Sequence, residues 1–201
     1  MSLHPALTGL RLQDLGVDYA DVRIEDTQET QITFQNGELL VCQELPSLGA
    51  FLRVHVSGRW HQRATTRVDD LAGEFAALVA SARRAPAGSA QPPAARSARH
   101  EDFTPYAQVN CAEASLEEKL AFTRSLLAVP QAVPQVVEYV VVYKDRYRRK
   151  WFQASDGVSY VTDYNQAGAR MGFSLKDGDK LFDDHTNTWF MTPRGQAEIV
   201  A

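Results

Sequence analysis

"ITFQNGELLVCQELPSLGAFLRVHVSGRWHQRATT", Ile32 to Thr66, carries two tight-turn signals flanked by β-prone residues. The first is Asn36-Gly37. Both central residues of a type I′ turn need positive φ, so Asn-Gly predicts a two-residue hairpin in which Gln35 pairs with Glu38. Period-two alternation then puts Ile32, Phe34, Leu39 and Val41 on one, core, face, with Gln31, Thr33, Glu38 and Cys42 mostly on the other. The second signal is Ser57-Gly58. A two-residue turn there would pair His55 with Trp60 and send His61 to the opposite face. A three-residue loop, the preferred reading, gathers Leu52, Val54 and Trp60 on an apolar face and leaves both histidines beside Arg53, Arg59 and Arg63.

Outward from this stretch the pattern is α+β. Upstream, a short helix over Pro5–Leu15 stops at Gly16, and "YADVRIED" (19–26) alternates as a strand. Downstream, Leu71, Phe75, Leu78 and Val79 form one stripe of a helix over Val68–Arg84, predicted to cover the core face of the first hairpin. The run "APAGSAQPPAARSAR" from Ala85 has no hydrophobic period and reads as a connection. The chain is therefore expected to form two subdomains of mainly antiparallel or mixed sheet with packed helices, residues 1–85 and 101–201, joined by 86–100. In the second, Ser115 and Glu118 make a capping box for a helix to about Leu127, with Leu116, Leu120, Phe122 and Leu126 inward and Pro130 ending it. "QVVEYVVVY" (135–143) and "RYRRKWFQAS" (146–155) read as paired strands, and "GARMGFSLKDGDKLFDD" (168–184) as a hairpin turning at Asp177-Gly178.

Composition narrows the chemistry. The 201 residues carry a net charge of −4, which argues against general nucleic-acid binding, since counterion release needs a basic surface. No apolar run reaches the roughly 20 residues of a membrane span, and "MSLHPALTG" lacks a signal-peptide core, so a cytoplasmic protein with no membrane partner is expected. Cys42 and Cys111 form no CxxC pair and read as reduced, structural residues. His55 and His61 are the only close histidine pair, and the cationic face expected around them would repel a divalent metal. His4, His100 and His185 read as isolated surface residues. Asp177, Asp179, Asp183 and Asp184 lack the spacing of an EF-hand loop. Arg146, Arg148, Arg149 and Lys150, interleaved with Tyr147 and Trp151, have the composition of a polyanion contact, although alternate basic residues on a strand equally form its wet face. No nucleophile elbow, phosphate loop, dinucleotide fingerprint or HExxH is present. No catalytic and no metal-binding residue is predicted.

Taken in order, "GVDYADVRIEDTQETQITFQNGEL" (16–39), "GAFLRVHVSGRWHQRATT" (49–66) before a helix, and "WFQASDGV" (151–158) resemble the N-terminal part of the TldD/PmbA family, the modulator-of-gyrase proteins that are zinc metalloproteases. His61 departs from the pattern, which usually has Gly after the aromatic residue. The resemblance implies that zinc belongs to a full-length member. The family's HExxxH motif and later Cys come from a C-terminal half not present here, so this chain is expected to be inactive alone and to hold no cofactor. "TPRGQAEIVA" (192–201) reads as the approach to a helix, hence a truncated chain or a member reduced to its N-terminal half. The implied role is that of a non-catalytic domain for peptide binding and subunit assembly. Its partners would be extended or unfolded peptide and a second subunit, as a homodimer or a paired family member. The alternative is a standalone protein- or polyanion-binding module.

Overall fold

The computed structural model describes residues 3–94 and 96–190. Its elements are β1 (Tyr19–Gln35), β2 (Glu38–Glu44), β3 (Ser47–Val56), β4 (Arg59–Thr65), α1 (Leu71–Ala82), β5 (Arg99–Phe103), α2 (Leu116–Ser125), α3 (Ala128–Gln131), β6 (Val136–Ala154), β7 (Val158–Asp177) and β8 (Lys180–Phe190). The strands form one mixed, mostly antiparallel sheet in the order β4-β3-β1-β6-β7-β5, with β2 also on β1 and β8 also on β7. The fold class is α+β, as the pattern predicts. β5 runs parallel to its neighbour, pairing Arg99–Phe103 with Val158–Thr162 of β7.

Two strands are longer than the sequence suggests. "QVVEYVVVY" and "RYRRKWFQAS" are not partners; they are consecutive parts of β6, with no turn at Lys144-Asp145. Neither residue supplies the positive φ of a tight turn, and the flanking Val, Tyr, Trp and Phe all favour extended backbone. β1 likewise runs through "YADVRIED" into the Asn-Gly hairpin as one strand.

The chain divides into two compact units, both discontinuous in sequence. One comprises the chain up to Asp26, Ser47–Thr104 and Arg149–Asp163; the other Thr27–Pro46, Pro105–Arg148 and the chain from Tyr164 onward.

In the first unit, α1 lays Leu71, Phe75, Leu78 and Val79 against Val22 and Ile24 of β1 and Leu52 and Val54 of β3. Fully burying such a side chain contributes about 1.5–3 kcal/mol. The Asp70 carboxylate caps α1 by accepting from Gly73 N. The expected helix over Pro5–Leu15 is instead two 3₁₀ turns, Pro5–Leu7 and Leu12–Leu15, which place Leu7 and Leu12 in the same core. Gly9, at φ +80°, separates them, and helical backbone cannot continue through that conformation. Residues beyond Ala85 dock on the β3–β4 hairpin, where Gly88 N and Ala90 N each donate to carbonyls of Ser57 and Gly58 at 2.9 Å.

The second unit has its own core, Ile32, Phe34, Val141, Tyr143 and Met171, packed by Leu116, Leu120, Phe122 and Leu126. The helix covering the first hairpin is thus α2 and not α1. Gln35 does pair with Glu38, and Asn36 and Gly37 both have positive φ. A register shift after Phe34 then sets Thr33 opposite Val41 and Ile32 opposite Cys42. One extra residue in β2 exchanges the two faces, so Cys42 joins the core cluster where Val41 was expected. The last hairpin turns on Gly178-Asp179, with Asp177 paired to Lys180. Glycine at the first central position, φ +60°, fits a type II′ turn better than the expected Asp177-Gly178. Pro130 lies within α3 and is buried, so it does not end the helical region.

Candidate functional site

The histidine pair is decided by register. Ser57 (φ +50°) and Gly58 (φ +73°) form a two-residue turn, pairing Val56 with Arg59, His55 with Trp60 and Val54 with His61. The three-residue loop is therefore corrected, and the histidines lie on opposite faces. His55 is buried, not solvated. Its Nδ1 stands 3.0 Å from Asp18 Oδ2 and its Nε2 3.1 Å from the Ala90 carbonyl. Both ring nitrogens are taken up by oxygen partners within the protein, which leaves neither open to a metal. Among the described residues no three His, Cys, Asp or Glu side chains converge as a metal site. The residues present do not fit a zinc ion, and no chemistry is derived through one. On the His55 face, Arg53 grips the buried Asp21 through Nε and Nη2 and lies 5.0 Å from the Trp60 ring.

Two other histidines have neighbours the sequence did not suggest. His4 packs edge-on against Trp151, and burial, opposed by the charge of Asp26, lowers its pKa. His100 Nδ1 is 2.5 Å from Ser159 Oγ.

Arg146, Arg148, Arg149 and Lys150 of β6 each have a partner within their own unit. In the second unit, Arg146 Nε contacts Glu29 Oε1 at 2.6 Å and the Arg148 guanidinium lies 5.4 Å from the Tyr164 ring. In the first, Lys150 Nζ contacts Glu25 at 2.8 Å and Arg149 lies 5.2 Å from the Trp151 ring. A polyanion at these four residues would have to displace two carboxylates.

Sequence reading missed the most polar feature of the interior, in the second unit. Lys119 of α2 is buried, with Nζ 2.9 Å from Asp145 Oδ2 and 2.8 Å from Thr30 Oγ1. Asp145 also accepts from Thr30 N at 3.0 Å and from the Tyr143 hydroxyl at 2.7 Å. One turn on, Thr123 Oγ1 donates to the Lys119 carbonyl. The signal was available: Lys119 and Thr123 stand at i+3 and i+7 from Leu116, on the inward stripe. Nearby, burial pushes the Cys111 thiol up to about 12, helped by the charge of Asp145. A neutral, buried thiol is not a nucleophile.

The same unit presents two strands paired on one side only among the described residues, β2 and β8. β2 is short and bulged. β8 pairs with β7 without interruption from Asp177↔Lys180 to Ala167↔Phe190, and every residue from Leu181 to Trp189 is exposed. Such an edge offers unpaired backbone N–H and C=O groups along its length.

The sequence profile of PmbA/TldA metallopeptidase domain 1 matches residues 20–87. No curated protein sequence matches the chain. Among solved structures, it is similar to TldE from Thermococcus kodakarensis, with TM-score 0.73 at 10% identity over 92% of this chain and 43% of that one. It is also similar to a proposed modulator of DNA gyrase from Bacteroides thetaiotaomicron, with TM-score 0.68 at 13% identity over 94% of this chain and 44% of that one. A third, from Thermotoga maritima and likewise described as a proposed gyrase modulator, gives TM-score 0.66 at 16% identity over 88% and 40%. The chain spans less than half the length of each. Residues 20–87 thus match the first domain of the PmbA/TldA metallopeptidase family, and the chain shares the fold of TldE and of the two proposed gyrase modulators.

Proposed function

We propose that this chain is the non-catalytic N-terminal part of a cytoplasmic TldD/PmbA-type metallopeptidase, which binds extended peptide by strand addition at β8 and takes part in subunit assembly. The observation that carries the reading is the long, regular, exposed edge of β8. Main-chain pairing at such an edge gives affinity with little demand on side chains, which suits a protein that presents varied or unfolded segments. Hydrolysis itself would fall to a zinc centre made by residues outside this chain.

Backbone methylation of the ligand tests this. Extended peptides of unrelated sequence should bind with similar, modest affinity. N-methylation at one set of alternate positions should abolish binding, and methylation of the other set should leave it intact, because only alternate amides face the edge. Insensitivity to both sets, or strict dependence on one side chain, would overturn the mechanism.

A further inference from the structure

Ile32, Val141 and Met171 face α2, so the alternate residues Thr33, Val142 and Arg170 lie on the other face of the second unit's sheet. On that face is a cavity of about 470 Å³ bordered by β1, β6, β7 and β8. Trp189 of β8 stands opposite Gly168 of β7, where a Cβ would collide with indole Cε3 and Cδ2. The glycine therefore lets the indole lie against the strand, and Trp189 remains half exposed, an aromatic platform at the cavity wall.

Beside it stand two cations. Arg170 pairs in register with Asn187, and Lys144 enters from β6. Among the described residues neither Lys144 nor Arg170 has a carboxylate partner, whereas Arg146 and Lys150 on the same strand do. No carboxylate lines this cavity. Glu138, Asp183 and Asp184 border the neighbouring cavity, which Arg170 also touches, so the sign of charge changes along the face.

We infer that this cavity binds an aromatic carboxylate, with its ring on the Trp189 indole and its carboxylate between Lys144 and Arg170. Gln31 and Asn187 also line the cavity, and their side-chain amides supply donors for the carboxylate's remaining lone pairs. The cavity volume lies in the range of small-molecule sites. A free aromatic acid and the C-terminal residue of a polypeptide share this chemistry. The site uses side chains on a sheet face and is independent of strand addition at the β8 edge.

The test is a titration of the ¹⁵N-labelled chain followed at the Trp189 indole N–H. N-acetylphenylalanine should shift that resonance. N-acetylphenylalaninamide, which lacks the charge, and N-acetylalanine, which lacks the ring, should each bind about tenfold more weakly or worse, the loss of one charge-assisted contact or one stacking partner. Arg170→Gln and Lys144→Gln, both on the surface, should each reproduce the loss seen with the amide. A hexapeptide of Gly and Ser ending in Phe then assigns the source: tighter binding than N-acetylphenylalanine points to a polypeptide terminus, equal binding to a free acid, and both support the site. Equal affinity for the acid and its amide in the parent protein, or no shift at millimolar acid, would overturn it.

Discussion

Lys119 and Asp145 place two opposite charges in the interior of the second unit, and removing one leaves the other stranded. Breaking a buried ion pair from one side costs about 3–5 kcal/mol, whereas neutralising both partners costs little. Asp145→Asn should therefore destabilise the protein by about that amount in urea unfolding. Adding Lys119→Met should recover most of the loss, because the asparagine Oδ1 can still accept from Thr30 N and no ammonium remains buried. Equal destabilisation by the single and double variants would show that the pair is not what holds this region. None of this could be read from residue type alone. A lysine on a helix is normally solvated, and its burial follows from the long-range placement of Thr30 and Asp145 beneath α2. His55 makes the same point. Its acceptors, Asp18 and the Ala90 carbonyl, come from distant parts of the sequence.

Elements were most legible where chemistry is local. The Asn36-Gly37 turn and the Ser115–Glu118 capping box appear as the sequence predicts, since each needs only residues within a few positions. The box has Ser115 Oγ accepting from Glu118 N at 3.2 Å and Glu118 Oε2 accepting from Ser115 N at 2.7 Å. Ser115→Ala should cost about 0.5–2 kcal/mol, measured by urea unfolding. The hydrogen bonds from Ser115 lower the Glu118 pKa, so the folded value lies below the unfolded one. The contribution of Glu118 is present above its unfolded pKa and is lost as pH falls through the depressed folded value, so the parent should lose this advantage in acid while Ser115→Ala changes less. A difference between them that stays constant with pH would contradict the role of the ionised carboxylate. Elements were least legible where one residue shifts a register. The extra residue Leu40 in β2 exchanges Val41 for Cys42 in the core, and the Ser57-Gly58 turn separates two histidines that a three-residue loop would have aligned. Nothing in composition distinguishes these alternatives, because both keep apolar residues on alternate positions.

At the scale of the whole molecule, α+β class and family resemblance were accessible because strand, Asn-Gly hairpin, Gly-turn strand and helix recur in a fixed order, and the profile match covers that region at residues 20–87. Sheet order was not accessible, since β5 reaches β7 and β3 reaches β1 across intervening elements. Nor was the length of β6, because a continuous strand and a hairpin share the same propensity on either side of Lys144-Asp145. Membrane crossing by helix has no candidate, as no helix among the described residues is long and apolar enough. Peptide binding by strand addition depends on one structural property, an edge strand open to another along β8. Hydrogen exchange in the presence of saturating extended peptide examines that property at its location. If peptide adds to this edge, alternate amides of β8 over residues 181–189 gain protection while β2 and β4 are unchanged. Protection confined to β2 or β4, or binding with no change in β8, would contradict it.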